Sequence, residues 1–121
     1  MEAKKRVTVV DDDEDILEFV KLALEYEGYD VETKASGGCL PQMPPGDLPD
    51  LLLLDIQLSG ENGLDICHQL KANEDTKHLP IILYSAYESA SQIRKEGCAD
   101  DVLAKPFSLQ TLIDKVHRLL S

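Results

Sequence analysis

Short apolar runs alternate with amphipathic stretches along most of the chain. Residues 7–10, 51–54 and 81–85 are dominated by leucine and β-branched residues. Such runs are typical of strands in a parallel sheet that helices cover on both faces. Residues 29–33 alternate between apolar and polar positions and predict a further strand, at an edge of the sheet. Residues 102–105 predict a short fifth strand.

Between these strands the apolar residues are spaced as on one face of an α-helix. Residues 14–27 predict a helix that stops at Gly28, a residue that favours a left-handed helix end. Residues 64–73 and 88–96 predict two more helices, the second of them polar and weakly patterned. Ser108 is placed to cap a last helix. The apolar stripe of that helix comprises Leu109, Leu112, Ile113, Val116 and Leu120.

One crossover between strands departs from the pattern. Residues 36–49 are rich in glycine and proline, where a helix normally connects two parallel strands. Proline removes a backbone donor and clashes with the preceding helical turn. The second helix of the fold is therefore predicted to be shortened or irregular, with no complete crossover helix over residues 38–48.

The alternation of strands and helices predicts one α/β domain over residues 1–121, a doubly wound five-stranded parallel sheet with right-handed crossovers. Polar residues follow or end four of the strands. They are Asp11 and Asp12, Asp55, Ser85, and Lys105. Because ligands of open α/β sheets bind outside the carboxyl ends of the strands, these side chains are expected to converge on one site.

Composition narrows the class of protein. The chain has 121 residues, of which 43% are hydrophobic and 29% charged, and this is ordinary for a globular domain. A net charge of −11 argues against nucleic acid or an anionic membrane as a direct partner. No apolar run approaches the about 20 residues of a membrane span, and the first residues lack a signal-peptide core. These features predict a cytoplasmic protein.

The cysteines and histidines do not suggest a zinc site or a disulfide framework. The three cysteines are odd in number and lack C-x-x-C spacing, and the three histidines lack ligand spacing. This usage is typical of a reducing compartment in which thiols serve as small buried apolar groups. The cysteines are Cys39, Cys67 and Cys98.

The polar residues at the strand ends suit phosphoryl transfer. Three carboxylates crowded together repel one another unless a proton or a cation lies among them, and oxygen ligands suit Mg²⁺ or Mn²⁺. A hydroxyl and an ammonium group would receive an anion, and a carboxylate can act as the nucleophile. Each group also has a plain structural alternative. The acidic run 11–15 could favour a helix N-terminus, Ser85 could belong to a turn, and Lys105 could be a surface cation.

Four segments resemble the receiver domain of two-component response regulators, and the resemblance covers essentially the whole chain. The segments are residues 9–13, 53–56, 83–86 and 104–107. The resemblance implies a flavodoxin-like sheet of strand order 2-1-3-4-5. It also implies phosphoryl transfer from a histidine kinase or histidine phosphotransferase, giving an aspartyl phosphate.

The resemblance assigns roles to individual residues. Asp55 matches the phosphoryl acceptor and also a metal ligand. Asp12 matches a direct ligand of Mg²⁺ (or Mn²⁺), Asp11 a ligand acting largely through water, and Gln57 the position that offers its backbone carbonyl.

Two further matches concern catalysis and switching. Ser85 matches the hydroxyl that moves toward the phosphoryl group, and Lys105 matches the lysine that pairs with it, before a cis bond to Pro106. Such domains catalyse their own Mg-dependent phosphorylation and dephosphorylation but act mainly as switches. The surface around the fourth helix and fifth strand would change, for an output domain or protein that the sequence leaves unspecified. The domain would be a monomer or a phosphorylation-dependent dimer.

Three positions differ from the usual pattern of that family. Ser59 stands where proline is common, the second helix is interrupted, and Val102 stands where a switching aromatic residue is usual. A valine is stiff at its single χ angle, so the response is expected to run mainly through Ser85 and the loop 86–91. These differences concern output and leave every catalytic group in place.

Rival interpretations fit the sequence less well. A calcium loop starting at Asp11 would need glycine and glutamate where Ile16 and Leu22 stand. A haloacid-dehalogenase-type phosphatase would have a second aspartate where Gln57 stands. A flavodoxin would bind the phosphate of its flavin after the first strand, where the acidic run 11–15 would repel it. The alternative that stays open is a receiver-like interaction module that does not depend on phosphorylation.

Overall fold

Five parallel strands form the central sheet of the computed structural model, which describes residues 4–38, 40–58, 60–86 and 97–120. The strands are β1 (Arg6–Val10), β2 (Asp30–Lys34), β3 (Leu51–Asp55), β6 (Ile81–Ala86) and β7 (Asp101–Lys105). Their order is β2-β1-β3-β6-β7. Strands β6 and β7 are the fourth and fifth strands of this sheet along the chain, since β4 and β5 pair separately, as described below. The predicted five-stranded parallel sheet and its 2-1-3-4-5 order are therefore confirmed. The apolar run of β3 lies at the centre, where all five of its residues are buried.

Among the described residues, three α-helices pack on the sheet, α1 (Glu14–Tyr26), α2 (Gly63–Ala72) and α3 (Leu109–Leu120). Helix α1 begins where it does because the Asp13 side chain accepts hydrogen bonds from the first free backbone N–H groups of the helix. The helix predicted over residues 88–96 lies outside the described residues. Within the parts of the chain that the structure describes, no helix combines the length and apolarity needed to cross a bilayer.

Alternate strand residues supply two separate cores, as the two-residue period of a strand requires. One core lies between the sheet and helices α1 and α3, and it includes Val9, Leu53, Ile82 and Leu103. The other lies between the sheet and α2, and it includes Val10, Leu54, Leu83 and Val102. The central strands are therefore mostly apolar on both faces, with the buried Thr8 of β1 as an exception, and their charged residues lie at the strand ends.

The crossover from β2 to β3 contains only two short 3₁₀ helices, Leu40–Gln42 and Pro45–Asp47, in its described residues. The prediction of an irregular second helix is thus confirmed. Leu40 is buried, and Met43 and Leu48 pack against the same core, so this segment covers the sheet without a full helix.

The glycines in residues 56–63 predict a loop after β3, and that prediction is wrong because the structure has two short strands there. Strands β4 (Gln57–Leu58) and β5 (Glu61–Asn62) pair antiparallel in a small hairpin. Gly60 has a positive φ of 73°, and the Gly63 N–H donates to the Ile56 carbonyl at 2.7 Å. Strands of two residues are too short to show a hydrophobic period, so the sequence could not reveal them.

The hairpin returns so closely that Gly63 touches the backbone of β3. A Cβ atom built on Gly63 would lie 2.1 Å from the Asp55 carbonyl oxygen. We therefore expect Gly63→Ala to lower the free energy of unfolding by about 2–3 kcal/mol, as measured by urea denaturation. Gly46→Ala is the matched control, because its Cβ meets nothing within 4 Å. Equal stability of the two variants would contradict this close approach.

Candidate functional site

The carboxyl ends of three strands of the sheet bring together two carboxylates and one ammonium group. Asp11 follows β1, Asp55 ends β3 and Lys105 ends β7. The Lys105 Nζ lies 3.3 Å from Asp55 Oδ2 and 3.5 Å from Asp11 Oδ2. Asp11 is fully buried and Asp55 is 4% exposed. The single ammonium group therefore faces two carboxylates that have little contact with water.

Asp12 adds a third carboxylate to the same place. Asp11, Asp12 and Asp55 each offer an oxygen within 4.8 Å of the others, and Asp12 is the exposed member. Three carboxylates thus lie close together, and the Lys105 ammonium group is within 3.5 Å of two of them. A hard divalent cation that prefers oxygen ligands fits these donor atoms.

The environment of Asp55 disfavours its ionised form. Burial raises the pKa of Asp55, and the nearby Asp11 carboxylate adds to the effect, while Lys105 and the Gln57 N–H oppose it. The Gln57 N–H donates to Asp55 Oδ1 at 3.3 Å. The resulting pKa of Asp55 lies above its usual value, and a cation bound nearby would stabilise the ionised form and lower this pKa.

Tyr84, which was not predicted to belong to the site, helps to hold the Asp11 side chain in place. Asp11 Oδ1 accepts the Asp13 N–H at 2.9 Å, and Asp11 Oδ2 lies 2.9 Å from the Tyr84 hydroxyl. The same hydroxyl lies 3.0 Å from the Val10 carbonyl oxygen. A phenol has one proton for these two acceptors, so the carboxylate and the strand carbonyl share it. Burial, followed by the charge of Asp11, raises the pKa of Tyr84.

Tyr84 also lies beneath the ammonium group. The Lys105 Nζ is 4.8 Å from the centre of the Tyr84 ring, and the Phe107 ring meets the Tyr84 ring edge-on at 6.1 Å. The signal in the sequence was a tyrosine at the end of an otherwise aliphatic buried strand. A buried tyrosine hydroxyl usually has a hydrogen-bond partner, and here the partner is a site carboxylate.

Ser85 and Gln57 lie at the same edge of the sheet. Tyr84 pairs with Asp55 in the register of β3 and β6, and the buried Ser85 is the next residue along β6. Gln57 is exposed in β4, two residues after Asp55. Val102 is buried opposite Leu83. Within the predicted loop 86–91, residues 87–91 lie outside the described part of the chain.

A wide cleft of about 850 Å³ opens above the carboxylates. Its apolar side is formed by Ile16 and Phe19 of α1 and by Pro106 and Phe107 after β7. The bond between Lys105 and Pro106 is cis, as the resemblance implied. The acidic floor is therefore reached past an apolar wall.

The Tyr84 hydroxyl should stabilise the fold through the buried Asp11. We expect Tyr84→Phe to lower the free energy of unfolding by about 1–3 kcal/mol, because the buried Asp11 carboxylate loses a hydrogen-bond donor. Tyr26→Phe should change it by less than about 0.5 kcal/mol, since Tyr26 is 89% exposed. Urea denaturation without divalent cations measures both. No difference between the two variants would count against the Tyr84–Asp11 hydrogen bond.

Because the pKa of Asp55 is raised, replacing this carboxylate with a neutral amide is expected to increase the free energy of unfolding by an amount that depends on pH. The folded protein binds the Asp55 proton more tightly than the unfolded chain does, so the wild type loses stability as pH rises through the folded-state pKa. Without divalent cations, Asp55→Asn should be more stable than wild type at pH 7.5, and this advantage should shrink toward pH 4. Urea midpoints across that range provide the measurement.

Asp101→Asn is a control for which the opposite change in stability is expected. Burial raises the pKa of Asp101, but the Lys115 ammonium at 3.0 Å, the Val102 N–H and Arg118 outweigh it, and the net pKa is lowered. That stability is present above the unfolded-state pKa and is lost as pH falls through the folded-state pKa. Asp101→Asn should therefore be less stable than wild type at pH 7.5. The prediction fails if both substitutions act in the same direction.

Known proteins resemble this chain in sequence and in structure. The family of response regulator receiver domains matches residues 7–117. The response regulator MprA of Mycobacterium ulcerans is 38% identical over 118 residues, which cover 95% of this chain and 50% of MprA. The chain thus spans about half the length of the curated relatives it matches.

Two solved structures are similar over nearly their whole length. One is the response regulator TrrA of Thermotoga maritima in complex with Mg²⁺–BeF, with a TM-score of 0.84 and 33% identity, covering 96% of this chain and 99% of TrrA. The other is a CheY-like receiver domain protein of Methanospirillum hungatei, with a TM-score of 0.82 and 31% identity, covering 98% and 94%. In sequence and in fold, this chain belongs to the response regulator receiver domains, the phosphoacceptor modules of two-component signalling.

Proposed function

We propose that Asp55 is the phosphoryl acceptor of this receiver domain and that a phosphohistidine on a kinase or phosphotransferase is the donor. The observation that carries this proposal is the position of the Asp55 carboxylate, at the end of β3 and 3.3 Å from the Lys105 ammonium group. A second carboxylate that is fully buried, Asp11, lies on the other side of Lys105.

In the proposed transfer, an Asp55 carboxylate oxygen attacks the phosphorus atom. The bond between phosphorus and the histidine nitrogen breaks, and its electron pair returns to the imidazole. The product is an acyl phosphate on Asp55. Asp55 must be ionised to attack, and Lys105 favours that form against the burial that opposes it. Lys105 can then pair with a phosphoryl oxygen, because its ammonium group already reaches this point.

Asp11, Asp12 and Asp55, with the Gln57 backbone carbonyl, would hold Mg²⁺ (or Mn²⁺) beside the acceptor. When bound, the metal supplies positive charge that offsets the repulsion between the carboxylates and an arriving phosphoryl group. The oxygen-only donor set and the close approach of the three carboxylates, within 4.8 Å of one another, support this assignment. The Mg²⁺–BeF complex of the similar protein TrrA also supports it.

The donor must bring its histidine into the cleft above Asp55. Phe19, which is 54% exposed, lines this cleft together with Ile16 of α1 and with Pro106 after β7. An apolar wall beside an acidic floor suits a helical partner that presents one polar group from an apolar face. Such a partner would also exclude water from the acyl phosphate while it forms.

The proposed switch runs from Asp55 through Ser85 to the surface around residues 86–96 and β7. Ser85 follows the residue that pairs with Asp55, so a phosphoryl group on Asp55 would have a hydroxyl donor within the same sheet edge. Val102 is stiff and buried. The proposal therefore assigns the larger movement to Ser85 and its loop, and it leaves the downstream output domain or protein open.

Phosphorylation can be tested with a small acyl-phosphate donor. We expect acetyl phosphate and Mg²⁺ to label the wild type with one acid-labile, hydroxylamine-sensitive phosphoryl group, and we expect no label on Asp55→Asn. Asp65→Asn is the matched control, because Asp65 is an exposed carboxylate on α2. Labelling of Asp55→Asn at the wild-type rate would contradict the assignment. A folded wild type that stays unlabelled would favour an interaction module independent of phosphorylation.

The same assay tests the metal site. Removal of Mg²⁺ with a chelator, or the substitution Asp12→Ala, should reduce the labelling rate by about tenfold or more, since too few ligands remain for an octahedral ion. Asp15→Ala should keep the wild-type rate. Asp15 lines the same cleft and is also a carboxylate, but it lies outside the group of three close carboxylates.

A further inference from the structure

Two thiols outside the acidic site are in direct contact. The Sγ atoms of Cys67 on α2 and Cys98 before β7 lie 2.6 Å apart, and both cysteines are free. Cys67 is completely buried, whereas Cys98 is partly exposed. Cysteines can be bridged only when their side chains point toward each other, and this pair meets that condition.

Neighbouring polar contacts hold the two thiols in place. The Asp100 carboxylate accepts hydrogen bonds from the Lys71 ammonium at 2.9 Å and from the Ile81 N–H at 2.8 Å. The Asp100 N–H donates to the Ile81 carbonyl at 2.8 Å, and Lys71 also donates to the Leu79 carbonyl at 2.9 Å. These bonds join α2, the start of β6 and the segment of Cys98. The contact between the sulfurs is therefore a property of a fixed framework rather than of one flexible side chain.

We propose that Cys67 and Cys98 are a dithiol–disulfide pair that hydroperoxides oxidise. Cys98, the more accessible thiol, attacks the peroxide oxygen; the O–O bond breaks, and water and a sulfenic acid form. The Cys67 sulfur then attacks the Cys98 sulfur, the S–O bond breaks, and the hydroxyl leaves as water with the Cys67 proton. In total, two thiols and one hydrogen peroxide give one disulfide and two water molecules.

The division of roles follows from the surroundings of each thiol. Burial raises the pKa of Cys67, and the hydrogen bond with Cys98 adds to this, so Cys67 stays protonated and unreactive toward solutes. Its low reactivity matters little once a sulfenic acid has formed beside it, because the two sulfur atoms are already in contact. The framework thus suits Cys67 to the second step.

The disulfide would fasten α2 to the chain just before β7. It would close a loop from residue 67 to residue 98 that contains Ser85, which follows the residue paired with Asp55. The bond itself would lie away from the carboxylates, because Cys98 precedes β7 while Lys105 ends it. Oxidation would therefore restrain the segment that carries the switch and leave the acceptor site assembled.

Mass spectrometry of the whole 121-residue chain tests this proposal. Reduced protein is treated with one equivalent of hydrogen peroxide, alkylated with iodoacetamide and digested with a protease that cleaves before aspartate. We expect the alkylated thiols to fall from three to one, with peptides 65–74 and 75–99 joined and two hydrogens lighter. The Cys39→Ser variant should give the same joined peptides, and Cys98→Ser should not.

Three results would overturn the proposal: a joined peptide that contains Cys39, a Cys98 sulfinic acid beside an alkylated Cys67, or a dimer linked through Cys98. A second measurement does not depend on trapping. The oxidised wild type should have a higher urea midpoint than the reduced wild type, since the bond restrains the unfolded chain. The difference should vanish on adding dithiothreitol and be absent in Cys98→Ser, whose partly exposed site tolerates serine. An oxidised form that is less stable than the reduced one would rule out a native-like bridge.

Discussion

The ammonium group of Lys105 is the contact on which the acidic edge of this sheet depends. It lies between the buried carboxylates of Asp55 and Asp11, at 3.3 and 3.5 Å. Two carboxylates shielded from water would otherwise repel each other and favour protonation. Burial raises the pKa of Asp55 by more than Lys105 lowers it, so Lys105 offsets only part of the cost of burying these carboxylates. The acidic pocket is consistent with a divalent cation beside them.

Tyr84 connects this electrostatic arrangement to the core. Its ring belongs to the apolar layer beneath α1 and α3, while its hydroxyl bonds the Asp11 carboxylate and its face lies under Lys105. The Tyr84 side chain thus contacts the packed interior, the Asp11 carboxylate and the Lys105 ammonium group. Because interiors are closely packed, a shift in that layer would be transmitted to the positions of both charged groups.

The sequence predicted the sheet well because its central strands are apolar on both faces, and such runs leave few alternatives. The convergence of Asp11, Asp55 and Lys105 followed from strand direction alone. The hairpin of β4 and β5 could not be predicted, since two-residue strands carry no period and their pairing depends on a contact with β3. Tyr84 was missed for a related reason. Its role depends on which face of β6 it occupies and on what the neighbouring strand presents there, and both are tertiary facts.

The irregular crossover between β2 and β3 is also connected to the segment beside Asp55, through the carboxylate of Glu61. The Gly37 N–H donates to Glu61 Oε1 at 3.1 Å, and Glu61 belongs to the hairpin that carries Gln57. A Cβ atom at Gly38 would lie 2.6 Å from the other oxygen of Glu61. The end of a glutamate side chain can move away at little cost, so one methyl group there would break the link and leave the sheet intact. Glycine at residue 38 thus leaves room for the hydrogen bond that ties the crossover to the hairpin, and variation at that position would change how firmly the segment beside Asp55 is held.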